Sequence, residues 1–153
     1  MTAGVIVRQP LAGDREAFLA LWRGYCAFYQ AEVPERATQT LWRRVLDPAD
    51  TGLRGLIACV GDAPLGFATL VTHPGTWSDR PVGYLEDLFV DGATRGQGLG
   101  RALIAGCAEL GREEGWLRLY WQTGRDNVAA QALYDRVATR TDWVRYELQL
   151  NPR

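Results

Sequence analysis

Residues 84–100 read YLEDLFVDGATRGQGLG, and this stretch decides the architecture of the chain. Residues 84–90 are mostly apolar and predict a strand, although they include two adjacent acids, Glu86 and Asp87. A glycine-rich turn follows over residues 91–98, and residues 99–114 repeat their apolar side chains at helical spacing. The order of strand, tight turn and helix is typical of folds in which helices cover a sheet.

The rest of the chain extends this pattern in both directions. Upstream, we predict a strand at 5–8, helices at 14–30 and 35–46, and strands at 56–60 and 65–72 joined by a hairpin turn. Downstream, we predict a strand at 117–122, a helix capped by Asp126, and a final half-buried strand over 144–150, where apolar and polar residues alternate. These elements predict one α/β domain with a mixed sheet and helices on both faces.

Composition narrows the class of protein. The 153 residues suit one domain, and 47% of them are apolar, enough for a core. A formal net charge of −1 gives no electrostatic case for a nucleic-acid partner, and no apolar run reaches the roughly 20 residues that span a bilayer. Three widely spaced cysteines indicate reduced thiols in a cytoplasmic protein, and a single histidine, His73, predicts that there is no metal site.

The turn over residues 95–100 favours an anionic ligand. Its alternating glycines let backbone N–H groups approach a phosphate, and the helix that follows contributes the positive end of its dipole. A Walker loop is excluded because no lysine is present. The dinucleotide fingerprint is excluded because Arg101 and Leu103 stand where small residues are required. The alternative is a turn whose glycines serve tightness alone.

Two motifs together resemble one family. Residues 95–100, after a strand that ends Leu-Phe-Val, resemble motif A of the GNAT (Gcn5-related N-acetyltransferase) superfamily, and residues 126–134 resemble its N-x-x-A-x-x-L-Y helix. The resemblance implies the GNAT fold, with a mostly antiparallel sheet of about six or seven strands, and acetyl-CoA as cosubstrate. It assigns cofactor binding to Leu88, Phe89, Val90, Arg95, Gly96, Gln97, Gly98, Leu99, Gly100, Arg101, Asn127 and Ala130. The chain departs from the family after Tyr134, where Val137-Ala138-Thr139 replaces a glycine and an aromatic residue.

Acetyl transfer to an amine requires a group that removes the amine proton, because an alkylamine is protonated near neutral pH. Glu86 and Asp87 are candidates, and as strand neighbours they should face opposite sides unless a bulge intervenes. The alternative is that both are structural, either exposed at an edge or paired with an arginine. The Tyr-Leu-Glu-Asp-x-Phe-Val pattern also resembles the spermidine/spermine acetyltransferase branch. That resemblance implies Glu86 as the general base, through water, and Asp87 as a ligand for a cationic substrate.

Tyr134 is the candidate general acid by the same resemblance, and the alternative is a core tyrosine, since it lies on the apolar face of its helix. Asn127 would bind the pantetheine arm or would cap the helix.

The first helix carries Trp22, Tyr25 and Tyr29, which would hold an amine through cation–π contacts or would simply fill the core. Residues 21–29 resemble a branch that includes a yeast histone and polyamine acetyltransferase. This resemblance implies a polyamine, an amino acid or a lysine side chain as acceptor, and the family implies a homodimer.

The sequence therefore predicts an N-acetyltransferase that moves an acetyl group directly to a primary amine. The alternative is a noncatalytic acyl-CoA-binding or regulatory module on the same fold. The two failed phosphate-loop spacings leave a nucleotide-binding enzyme as the remote third hypothesis.

Overall fold

The computed structural model describes residues 4–152, which form two compact units that meet in sequence between Trp121 and Gln122. The first unit contains β1 (Val5–Arg8), α1 (Arg15–Phe28), α2 (Glu35–Leu46), β2 (Leu53–Val60), β3 (Ala63–His73), β4 (Val82–Val90), α3 (Leu99–Glu113) and β5 (Leu119–Tyr120). The second unit contains α4 (Val128–Val137). The assignment of the whole chain to one domain stays a prediction.

The sheet is mixed, as the sequence predicts. Its order is β1-β2-β3-β4-β5; every pair is antiparallel except β4 and β5, which are parallel. The described residues form five strands, fewer than the six or seven that the family resemblance implies. A two-residue hairpin joins β2 to β3, and Gly61 at its start adopts a φ of 62°, which side chains disfavour.

Helices cover both faces of the sheet. Phe67 of β3 contacts the aromatic rings of α1, and its ring centroid lies 5.3 Å from that of Phe18. The preceding residue, Gly66, faces the other side, where an added Cβ would lie 3.2 Å from Leu103 of α3. Helix α2 packs against β2. Because neighbouring strand residues alternate in direction, the sheet places α1 on one face and α3 on the other.

The core on the α1 face is aromatic. Phe18 and Phe67 are fully buried, and Trp42 of α2 packs 5.2 Å from Phe18. On the α3 face Cys107 is also fully buried, and burial raises the pKa of its thiol to about 12. Cys107 is therefore a core residue and is poorly suited to act as a nucleophile, since the thiolate is the nucleophilic form.

Strand β4 contains a β-bulge at Glu86. Thr69 of β3 pairs with Asp87, whereas the next residue, Leu70, pairs with Leu85, so Glu86 has no opposite residue. Thr69 and Val71 share a face of β3, and their partners Asp87 and Tyr84 therefore share that same face of β4. One extra residue thus brings side chains three apart in sequence to the same side of the sheet.

Several predicted boundaries were wrong, chiefly near the C-terminus. The predicted strand over 144–150 is not formed; Val144, Tyr146, Leu148 and Leu150 are exposed in a segment without regular structure. Alternation specifies two faces, but a strand also needs a hydrogen-bonding partner, which the pattern does not supply. The strand predicted at 117–122 shortens to β5 for the same reason, because pairing with β4 stops at Tyr120.

Candidate active site

Within residues 4–152, the edge of β4 that faces β5 is paired only at the beginning of the strand and has no partner strand after that. Pairing with β5 involves only Gly83 and Tyr84, whereas β4 continues to Val90. Beyond that point no strand of the described chain covers this edge, along which Leu88 and Phe89 lie. An uncovered strand edge presents backbone N–H and C=O groups, so an extended polar chain could add to it as a further strand.

The glycine-rich turn lies directly after this edge. Gly96 and Gly98 have φ values of 81° and 83°, a region in which a side chain is strained, and Gly98 is the N-cap of α3. The side chain of Leu99 is buried, so this residue can offer a ligand only its backbone N–H. Gly100 and Arg101 belong to the first turn of α3, where N–H groups have no partner within the helix. The turn thus has the form of an anion cradle at a helix N-terminus.

Arg95 is fixed beside the cradle by aromatic rings. Its guanidinium carbon lies 5.4 Å from the ring centroid of Phe28, at the end of α1, and 5.6 Å from that of Phe89 on β4. Its Nε donates to the carbonyl oxygen of Val90 at 3.3 Å. These contacts position a cation where the strand edge meets the cradle, as an anionic ligand requires.

Asp87 lies among hydroxyl groups on the α1 face. Thr69 Oγ1 donates to Asp87 Oδ2 at 2.5 Å, and the hydroxyl of Tyr25 also bonds to this carboxylate. Burial raises the pKa of Asp87, although both hydrogen bonds act in the opposite direction. Burial and the nearby carboxylate likewise raise the pKa of Tyr25. The partners of Asp87 are thus two hydroxyl groups, and not the arginine that was the alternative prediction for a structural acid.

Glu86 has a different environment from its neighbour. It is exposed on the bulge, two residues after Tyr84, which is the last residue of β4 that pairs with both β3 and β5. The bulge therefore separates the two adjacent acids: the side chain of Glu86 is exposed to solvent, whereas that of Asp87 is largely buried. A carboxylate in this exposed position can accept a proton directly or through water.

The predicted acceptor residues of α1 are largely engaged in packing. Trp22 Nε1 donates to Thr38 Oγ1 at 3.0 Å, and the indole stacks on the ring of Tyr25 at 5.5 Å. The Tyr25 ring also packs edge-on against Phe67. Only Tyr29 is half exposed. Core packing accounts for the positions of the first two rings, and the third borders solvent.

In the C-terminal unit, the predicted cap of α4 shifts by one residue. Asn127, and not Asp126, is the N-cap, and its Oδ1 accepts a hydrogen bond from the backbone N–H of Ala130 at 3.3 Å. The capping alternative for Asn127 is therefore observed, because its oxygen fits the unpaired N–H groups of the first turn. Tyr134 is partly exposed on the same helix, which ends at Val137.

The structure also assembles polar and aromatic residues that sequence reasoning missed. Thr69 is a polar residue in an otherwise apolar stretch of β3, and this could have indicated that its hydroxyl has a buried partner. The contact between His73 of β3 and Tyr120 of β5 had no signal, because 47 residues separate them.

Two findings concern ligands and location. Among residues 4–152, no group of three or more His, Cys, Asp and Glu side chains is arranged to hold a metal ion. Within the same range, no helix has the length and apolar character needed to cross a bilayer.

Comparison with known proteins identifies the class. Residues 18–138 match the model of the acetyltransferase (GNAT) family. The chain belongs to this family of N-acetyltransferases, as the motif over residues 95–100 indicated. It is similar to the D-amino-acid N-acetyltransferase HPA3 of Saccharomyces cerevisiae, with 35% identity over 146 residues, covering 94% of this chain and 89% of the yeast protein.

Further similarities are more distant. The thialysine N-epsilon-acetyltransferase of Caenorhabditis elegans is 35% identical over 91 residues, covering 60% of this chain and 56% of the worm protein. The fold resembles that of AAC(6')-Iy, solved in complex with a bisubstrate analog, at a TM-score of 0.82 and 21% identity, covering 97% of this chain and 99% of that one. A ribosomal-protein-alanine N-acetyltransferase from Brucella melitensis gives a TM-score of 0.80 at 22% identity, covering 96% of this chain and 99% of that one.

Proposed function

We propose that the protein transfers an acetyl group from acetyl-CoA to the primary amine of a small molecule, with an amino acid as the favoured acceptor class. The observation that carries the proposal is the open edge of β4, which leads from the bulge at Glu86 to the anion cradle at Gly96 and Gly98. Two relatives are named for acetylation of D-amino acids and of thialysine, which favours amino acids over polyamines and over lysine side chains of proteins.

The residues of the first unit fit coenzyme A by their chemistry. The backbone of residues 96–101 and the guanidinium of Arg95 suit a pyrophosphate, because they combine N–H groups, a helix dipole and a cation. The edge at Leu88, Phe89 and Val90 suits the amide groups of a pantetheine arm. Acetyl-CoA supplies the acetyl group as a reactive thioester.

Glu86 removes the proton of the acceptor ammonium, directly or through a water molecule. The neutral amine attacks the thioester carbonyl carbon, so that the new C–N bond forms as the C–S bond breaks. Tyr134 donates its phenolic proton to the departing sulfur and is restored by the proton that the new amide nitrogen releases. Glu86 suits the first step because it is exposed and lies on the bulge, where the strand edge opens.

Asp87 holds the positive charge of the substrate near Glu86, through a carboxylate already oriented by Thr69 and Tyr25. Trp22, Tyr25 and Tyr29 form the aromatic wall on that side. Of these, Tyr29 is the most exposed and offers its ring to a ligand most readily.

We further propose a cytoplasmic homodimer in which the segment over residues 144–150 pairs with a second copy. Four large apolar side chains there are 73–91% exposed, and Arg145 and Glu147 form a 3.2 Å ion pair across one residue, as they would on one side of an extended strand. Large exposed apolar surfaces are rare on monomers and often mark an interface, so this row of side chains is suited to pack against a second copy. Sedimentation at micromolar concentration should give twice the mass of the chain. Leu148→Asp should shift the sample toward the monomer, and a Gln149→Asp control should not.

The catalytic proposal is tested by incubating the protein with acetyl-CoA and a panel of amines while free thiol is measured. The panel holds D- and L-amino acids, lysine, spermidine, an aminoglycoside and a basic peptide. Thiol release that depends on an amino acid supports the proposal. Binding of acetyl-CoA without transfer to any amine would support a noncatalytic acyl-CoA-binding module. Absence of binding would contradict the function assigned to the glycine-rich turn.

A further inference from the structure

A cluster of aromatic and basic residues lies beside the bulge, on the same face of the sheet as Asp87. Tyr84 of β4 and Tyr120 of β5 are directly paired, and their ring centroids are 4.8 Å apart. The guanidinium carbon of Arg118 lies 5.7 Å from the centroid of the Tyr120 ring. His73 Nε2 lies 2.8 Å from the Tyr120 hydroxyl oxygen. The cluster lies where β5 ends and the open edge of β4 begins.

The hydrogen bonds of His73 fix how this cluster is oriented. The Nδ1 atom lies 2.9 Å from the carbonyl oxygen of Pro74, which can only accept, so Nδ1 carries a proton. In the neutral imidazole, Nε2 is then the acceptor and the hydroxyl of Tyr120 donates to it. The ring of Tyr120 thereby lies against that of Tyr84, with an angle of 35° between the two ring planes. Arg118 rests over that ring, so the guanidinium is positioned before any ligand arrives.

The charge of Arg118 is available to a ligand. Arg118 is exposed, and it takes part in none of the ion pairs found among residues 4–152. The neighbouring Arg80 is engaged otherwise, since its Nε and Nη2 donate to the carbonyl oxygens of Gly115 and Trp116 at 2.9 and 3.0 Å. Asp79, in the loop after β3, is exposed. A planar guanidinium supported by an aromatic ring is suited to a carboxylate, which it can bind through two hydrogen bonds.

The distance between Tyr84 and Glu86 along β4 indicates the length of the acceptor. Tyr84, next to Tyr120, is two residues from Glu86, which corresponds to roughly 7 Å along a strand. An extended lysine side chain separates its terminal amine from its carboxylate by a comparable distance. The loop over residues 72–81 adjoins the cluster through His73 and lines a cavity of about 470 Å³.

We propose that Arg118, positioned by Tyr120 and His73, binds the carboxylate of an acceptor amino acid whose terminal amine reaches Glu86. This inference rests on the proposed acetyltransfer and adds the residue that selects a carboxylate-bearing amine. Arg118 contacts the substrate, whereas Tyr120 and His73 are positioning residues.

Lysine and 1,5-diaminopentane form a matched pair for the test, because the second compound is lysine without its carboxylate. Arg118→Gln should raise the KM for lysine about tenfold, the loss expected for a charge-assisted hydrogen bond, and should leave kcat and the KM for 1,5-diaminopentane within about twofold. Arg118→Lys should give an intermediate KM for lysine, since the charge remains but the planar fork is lost. Arg112→Gln, an exposed arginine of α3, is the control and should change neither KM.

A binding measurement separates this inference from the catalytic proposal. The chain has one histidine, so its imidazole gives a single set of NMR resonances. In the presence of coenzyme A, which carries no acetyl group, lysine should shift these resonances saturably, and 1,5-diaminopentane at the same concentration should not. Tyr120→Phe removes the bond to His73 and should raise the KM for lysine alone, about threefold.

The outcomes are distinguishable. A saturable shift with lysine, without acetyl transfer to any amine, would keep the carboxylate subsite and overturn the proposed function. Acetyl transfer that uses 1,5-diaminopentane as well as lysine, with no effect of Arg118→Gln, would overturn the subsite and leave the function standing. If the Arg118→Gln variant has a changed KM for acetyl-CoA, then Arg118 binds the cosubstrate and not the acceptor. That result would also overturn the inference.

Discussion

The two halves of β4 differ in what covers them. At Gly83 and Tyr84 the strand lies between β3 and β5, and an added Cβ at Gly83 would lie 2.2 Å from the ring of Trp116. After the bulge at Glu86 the strand keeps its pairing with β3, but no strand of the described chain pairs with its other edge. The part of β4 before the bulge, paired on both edges at Gly83 and Tyr84, is the closed half, and the part after Glu86, with an edge that pairs with no described strand, is the open half. The change occurs within two residues, because the bulge and the end of β5 fall at nearly the same position.

The largest effect is expected in the open half, at the residue on the bulge. Glu86→Gln keeps the size of the side chain but removes its ability to accept a proton, so kcat for the best amine should fall by about two to three orders of magnitude. The Kd for acetyl-CoA, measured by calorimetry, should not change. Asp91→Asn, a nearby acid of the turn, serves as the control. Normal turnover by the Glu86→Gln enzyme would exclude Glu86 as the base.

Substitutions in the closed half should lower the stability of the protein and should leave catalysis unchanged. Gly83→Ala forces a methyl group into the ring of Trp116, which is buried, and should lower the free energy of unfolding by about 3 kcal/mol. Urea denaturation measures this change. Gly75→Ala is the matched control, because its added Cβ would meet only Val82 at 3.7 Å, an ordinary contact. Equal urea midpoints for the two variants would contradict the packing of this half.

The turn after the open half should show a smaller, mixed effect. Gly98→Ala places a side chain at a φ of 83°, which should lower stability by about 1 kcal/mol. It should also raise the Kd for acetyl-CoA roughly tenfold, because the N–H groups of the cradle must shift. Gly92→Ala lies in the same turn, without a positive φ and with nothing within 4 Å of its added Cβ. If both variants bind acetyl-CoA as tightly as the parent, the cradle is not the phosphate site.

The smallest effect concerns pH and the boundary between the halves. The pKa of Asp87 is raised in the folded protein, so the folded state binds its proton more tightly than the unfolded chain does. The stability that this adds is fully present below the ordinary pKa of aspartate and is lost as pH rises through the raised value. Asp87→Asn lacks this loss and should therefore be the more stable protein at pH 7, with the advantage shrinking toward pH 4.

Urea unfolding at the two pH values tests this sign. Asp79→Asn, an exposed acid of the loop, should show no comparable change between them. A parent protein whose stability relative to Asp87→Asn rises with pH would mean that the hydroxyl donors Thr69 and Tyr25 outweigh burial.

Local sequence features predicted much of this molecule. Helix α2 begins and ends at the predicted residues, Glu35 and Leu46, because its apolar repeat is regular and Pro48 follows it closely. The turn between β4 and α3 was predicted from its glycines, and both Gly96 and Gly98 have the positive φ that explains them. These features depend on residues near one another in the chain, so their signal is contained in a short stretch.

The sequence by itself indicated the family, through the motifs at residues 95–100 and 126–134. It also predicted the mixed sheet and the glycine-rich turn, because periodicity and the positions of glycines are local properties of the chain. Only the tertiary structure decided that Glu86 occupies a bulge, that Thr69 and Tyr25 bond to Asp87, and that His73 meets Tyr120. Each of these depends on the register between strands or on the packing of a helix across them. Register and packing are decided by contacts between residues far apart in sequence, and no pattern within one segment encodes them.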